Sequence, residues 1–129
     1  MTVNEQIMEF DFDDCYWHDS ILESIFIDRS DPGNNDSVEM VIDWYDQPRS
    51  KLVFKKVYLY KATMNFGIIA KESIDMAYIT PEDDEDLVGF YKGWKGAFDH
   101  VKMNCYVIKT NSTGGEIKIL AEGVQEVKI

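Results

Sequence analysis

Hydrophobic and polar residues alternate along most of this chain, and a period of two predicts strands rather than helices. Val38, Met40, Ile42 and Trp44 share one parity, with Glu39, Asp43 and Tyr45 on the other. A preceding strand is expected over Tyr16 to Asp28, with Ile21, Glu23, Ile25 and Ile27 on one face and Leu22, Ser24, Phe26 and Asp28 on the other. Asp31-Pro32-Gly33-Asn34-Asn35-Asp36 lies between them. Proline fixes φ, glycine permits positive φ, and Asn and Asp bond their own backbone, so this is a turn and the two strands make a hairpin.

A second turn at Gln47-Pro48-Arg49-Ser50 leads into a long β run from Leu52 to Phe66. Leu52 and Phe54 have one parity and Val57 and Leu59 the other, which predicts a bulge near Lys55-Lys56. Gly67 interrupts, and Ile68 to Ile79 reads as a further strand or an irregular crossover. Val101, Met103, Cys105 and Val107 alternate again, and Asn111-Ser112-Thr113-Gly114-Gly115 closes a hairpin onto Ile117, Ile119 and Ala121. Gly123 is expected to turn the chain into a last short strand with Val127 and Ile129. At the other end, Ile7, Met8 and Phe10 fit a short helix or an edge strand.

One segment breaks the pattern. Thr80-Pro81-Glu82-Asp83-Asp84-Glu85 is a helix start, with a capping threonine, a first-turn proline and acids at the positive end of the dipole. Leu87, Tyr91, Trp94 and Phe98 follow at helical spacing, but Gly89, Gly93 and Gly96 each cost a helix ~1 kcal/mol relative to alanine. A short or irregular helix is expected, or else an acidic loop. Together these elements predict one domain over residues 1–129, α+β and mostly β. Its architecture is an antiparallel twisted sheet or a two-layer sandwich with one or two short helices, and Trp44 is at least partly buried.

Composition narrows the function more than the fold. Twenty-four acidic residues stand against thirteen basic ones, a net charge of −11. Such a surface repels nucleic acid and anionic membrane and attracts basic proteins. The 45% hydrophobic content is that of a folded domain. No apolar run reaches the ~20 residues of a membrane span. Met1 to Asp14 carries no Lys or Arg and no long apolar run, so a cytoplasmic location is expected, with Cys15 and Cys105 as free thiols.

The candidate chemistry is sparse. His18 and Asp19, with Asp11 and Asp13 nearby, form the densest set of potential ligands. They would suit a metal or small-ligand module with hydrolytic chemistry within its reach. The bland alternative is a histidine that bonds a backbone carbonyl at the start of a strand. No spaced metal motif, nucleophile–base pair or phosphate loop accompanies it, and no cofactor is expected. The acidic run Asp83, Asp84, Glu85 and Asp86, joined to Tyr91 and Trp94, instead combines charge with aromatic anchors, the composition of a partner-binding surface.

Tyr16-Trp17-His18-Asp19-Ser20, followed by Ile21 and Ile25, resembles the start of the first major strand in a group of small bacterial proteins. Leu52-Val53-Phe54, Thr110 to Gly115 and Ile117 to Ala121 continue the likeness, while Gly89 to Phe98 has no counterpart. Several of these proteins resemble immunity proteins of polymorphic toxin systems. The resemblance implies a β-rich fold and a non-enzymatic binding role, with a basic protein such as a toxin as the partner.

Overall fold

The structure, a computed structural model, describes residues 7, 8 and 10–129. Seven antiparallel strands form one sheet: β1 (Ile7–Met8), β2 (Ile21–Asp28), β3 (Ser37–Asp43), β4 (Ser50–Thr63), β5 (Ile74–Ile79), β6 (Asn104–Thr110) and β7 (Glu116–Lys128). A 3-10 turn at Phe12–Asp14 and one helix, α1 (Glu85–Gly93), complete the fold, which is α+β and mostly β. No helix among the described residues is long and apolar enough to cross a membrane.

The strand order is β2-β3-β4-β7-β6-β5, with β1 against β7. The two long strands are the spine. β4 pairs with β7 along its length, from Ser50↔Lys128 to Thr63↔Glu116. Its first part, Ser50–Lys55, also carries β3 on the other side. β7 in turn carries β6 along Glu116–Ala121 and β1 at Glu126 and Val127. The sheet therefore has two overlapping halves that share β4 and β7. A register shift between Val57 and Leu59, just after the positive φ of Lys56, supplies the expected bulge. The expected turn at Gly123 is absent. Gly123 sits inside β7 opposite Lys55, because both strands continue past the bulge with their ladder intact.

Both halves fold over one core. Val38, Met40, Ile42, Leu52 and Phe54 from the first half meet Ile74, Tyr106, Ile108, Ile117 and Ile119 from the second. Phe12, Trp17 and Trp44 fill the space between, with ring centroids 4.8 Å apart for Phe12–Trp17 and for Trp17–Trp44. The indole protons are satisfied: Trp17 Nε1 donates to the Phe12 carbonyl and Trp44 Nε1 to Ser50 Oγ, each at 2.8 Å. On the opposite side of the second half, Leu87, Phe90 and Tyr91 bring α1 onto Cys105, Val107 and Leu120. The strand β6 is thus buried on both faces, Tyr106 and Ile108 inward and Cys105 and Val107 under the helix.

Three further expectations are corrected. The strand after Tyr16 starts only at Ile21, because Tyr16–Ser20 is a turn in which Asp19 adopts a φ of 67°. Its faces also differ from strict alternation. A bulge between Leu22 and Ser24 puts buried Leu22 and core-packed Ile25 on the same side. Finally, α1 begins at Glu85 rather than at Pro81, and its cap is Asp84, whose carboxylate accepts from the Asp86 and Leu87 amides. The helix ends by Gly93, and the positive φ of Lys95 and Gly96 turns the chain away. Ile7 and Met8 are strand, while residues 1–6 and 9 lie outside the described residues.

Candidate functional site

The Trp-His-Asp-Ser segment closes the sheet. The Asp19 amide donates to Ile74 O at 2.9 Å, the Ile74 amide to Ser20 O at 2.8 Å and the Leu22 amide to Glu72 O at 2.9 Å. Ser20, fully buried, donates through Oγ to Tyr16 O and accepts there from the Tyr45 amide, both at 3.0 Å. His18 Nδ1 lies 3.2 Å from the Asp75 carbonyl, and Asp13 Oδ1 accepts the Ile79 amide at 3.0 Å. These groups occupy the outer edge of β5, which would otherwise present bare backbone donors and acceptors. His18 also has Asp19 and Asp75 carboxylates at 3.6 Å, in the open. The Asp11 carbonyl accepts a bond from Cys15 Sγ. Among the described residues, no group of three or more His, Cys, Asp or Glu is placed to hold a metal ion.

Cys15 lies beside this segment. Burial, followed by Glu126, Asp11, Asp14 and Asp46, pushes its thiol up to about 11. Little thiolate exists at neutral pH, so alkylation by iodoacetamide should be much slower than for free cysteine and should rise through pH about 11. Mass spectrometry of the labelled protein reads both; fast labelling at pH ~7 would contradict the assigned surroundings.

The acidic run divides. Asp84 and Asp86 face inward onto Lys118 of β7, whose Nζ lies 2.8 Å from Asp84 Oδ1 and 2.6 Å from Asp86 Oδ2. Lys61 adds a second cation to Asp86 at 3.2 Å. Burial alone would raise the Asp84 carboxyl, but the Lys118 bond and the capped amides hold it below the usual carboxylate range. Asp86 is lowered chiefly by its Lys118 bond. Lys118 is raised: burial works against its charge, and the two carboxylates outweigh burial. Asp83 and Glu85 are exposed, and neither makes an ion pair among the described residues. Tyr91 also turns inward, donating to Val101 O at 2.6 Å and tying the segment after α1 back to the helix.

Trp94 stays outside, 54% exposed. It stacks edge-on against Phe98 at 5.2 Å, and Phe90 packs on Phe98 and Tyr58 at 5.6 and 5.5 Å. These rings form one wall of a groove of about 430 Å³. The other walls are Val57–Tyr60 of β4 and Ile27, Asp28, Arg29 and Asp36 at the tip of the β2–β3 hairpin, where Arg29 pairs with Asp36 at 2.8 Å. Tyr58 anchors the floor by donating to Glu122. Burial and that bond push its phenol up to about 12. Past the groove β4 runs into a loop that sequence reasoning placed in a strand or crossover. Phe66 there is 85% exposed and Ile69 fully so. The nine residues from Ala62 to Ala70 contain no charged side chain, which was the available signal for an unusual surface.

Comparison with protein-family models, curated proteins and solved structures finds no match to this chain.

Proposed function

We propose that this chain is a non-enzymatic protein-binding domain that takes a basic protein partner, in the manner of an immunity protein occupying its toxin. The observation that carries the reading is the α1 groove. An exposed tryptophan, backed by packed aromatic rings, stands at its wall, and Asp83 and Glu85, which flank the Asp84 cap of α1, make no ion pair among the described residues of a molecule of net charge −11. Aromatic anchors supply binding energy that persists after docking, while free charges accelerate encounter.

The test is capture from the source cell's lysate on immobilised protein at about 50 and about 500 mM salt, since screening shortens from ~14 to ~4 Å across that range. A basic protein should be retained at low salt and released at high salt. In surface-binding kinetics with that protein, Asp83→Asn with Glu85→Gln should slow association several-fold. Trp94→Ala should speed dissociation by about tenfold or more. Recovery of no basic protein, or of one indifferent to salt and to both variants, would remove the proposal.

A further inference from the structure

We infer that the partner is held by strand addition: an extended, basic segment pairs with the open edge of β4 at Tyr58–Thr63. The inference rests on the basic-partner reading and adds the mode of recognition. β3 covers β4 only along Ser50–Lys55, and the Val57 amide still finds Asp36 O at 3.1 Å. Beyond that point β4 is paired with β7 alone, and among the described residues no backbone bond reaches Tyr58–Thr63 from the other side. Backbone groups of a strand edge demand partners, and an added strand is the arrangement that supplies them in ladder register.

Space for that strand exists. The groove begins where β3 ends, beside Val57–Tyr60, and Lys61, Ala62 and Thr63 are exposed. A strand laid there would continue the line of β3. The fold already uses this device on its other long strand, where the two residues of β1 continue the line of β6 along β7.

Charge and ring chemistry decide the occupant. A second copy would set −11 against −11. A basic segment meets an opposite net charge, the local cations Arg29 and Lys61 being paired with Asp36 and Asp86, and its Lys or Arg side chains meet the faces of Tyr58, Tyr60, Phe90, Trp94 and Phe98 along the groove. Another open edge among the described residues, Ser24–Asp28 of β2, reaches the groove only at its end, through Ile27 and Asp28.

Two synthetic peptides separate strand addition from charge attraction: acetyl-Arg-Val-Arg-Val-Arg-Val-Arg-Val-amide, and the same sequence N-methylated at alternate residues along one edge. Both carry the same charge, but the second cannot donate to a ladder on that edge. Amide hydrogen exchange of the full chain at low salt is the readout. The plain peptide should slow exchange within residues 58–63, and the methylated one should bind roughly tenfold more weakly and protect none of them. Equal binding of the two would overturn strand addition while leaving the basic-partner reading in place. Protection confined to residues 24–28, or of 58–63 by self-association without peptide, would also overturn it. Binding of neither peptide would remove both readings.

Discussion

Trp17→Ala is expected to destabilise the protein by about 4 kcal/mol, the middle of the range for an aromatic residue removed from a core. Trp17 is buried, contacts Phe12 and Trp44 at ring separations of 4.8 Å, and closes a hydrogen bond to the Phe12 carbonyl. Truncation removes packing from both halves of the sheet at once and leaves that carbonyl without its donor. Urea unfolding followed by circular dichroism measures the loss, with Asp83→Asn, at an exposed position, as a surface control expected within about 0.5 kcal/mol of wild type. A Trp17→Ala loss below ~1 kcal/mol would show that the aromatic stack does not join the halves.

Lys118→Met is expected to cost about 3 kcal/mol, because it strands the Asp84 carboxylate and leaves Asp86 with Lys61 alone. The Lys118 and Asp84 side chains are only 13% and 14% exposed, so water replaces the missing cation poorly. The pH dependence identifies the cause. Asp84 and Asp86 are lowered in the folded state, so the stability they contribute is present above the ordinary carboxylate range and fades as pH falls through their folded values. Lys118 is raised, so its share is complete below the ordinary lysine range and fades only in strong alkali, above it. At neutral pH wild type has both contributions. In the variant the unpaired Asp84 carboxylate favours protonation instead, so the gap between the two proteins should narrow as pH falls toward about 3. Urea midpoints across that range decide. A constant gap would mean that Lys118 acts through the packing of its methylene stem and not through its charge.

The features legible in the sequence are local ones. Strict alternation placed Val38, Met40, Ile42 and Trp44 in the core, and the Pro32-Gly33 and Gly114-Gly115 turns stand where their residue types require. The parity switch after Phe54 exposed the β4 bulge because a side-chain period of two makes any slip visible. In β2 the same rule misled. Leu22 and Ile25 are apolar at opposite parity across Glu23-Ser24, but Ile21, Ile25 and Ile27 suggest one uninterrupted face, and pairing with β3 places the extra residue between Leu22 and Ser24. Gly123 read as a turn because its permissive backbone also suits a long strand next to a bend, and sequence does not separate the two uses.

The site was half legible for a similar reason. Aromatic and acidic residues near α1 were visible, and Asp83, Glu85 and Trp94 do face outward. Asp84 and Asp86 look the same in sequence but point inward, because their partner Lys118 lies 34 and 32 residues away on a strand that only the fold brings close. The open edge of β4 has no sequence signature. It exists because β4 is longer than β3, and strand lengths emerge from pairing.

The position of β7 bears on synthesis as well as on the folded state. Strands β2, β3 and β4 can form hairpins as soon as they emerge from the ribosome, but β7 lies between β4 and β6 at the centre of the sheet. Its pairing with β4 joins segments more than fifty residues apart, such as Thr63 and Glu116. Until residues 116–128 have been made, Leu52, Phe54 and Val57 flank a bare strand edge, and isolated hairpins are marginal in water. The nascent chain is therefore expected to remain protease-sensitive through most of its elongation and to gain its tertiary structure in one late step, with the slow kinetics of non-local β pairing. An arrested ribosome–nascent-chain series, probed by proteolysis, would place that step at the emergence of β7.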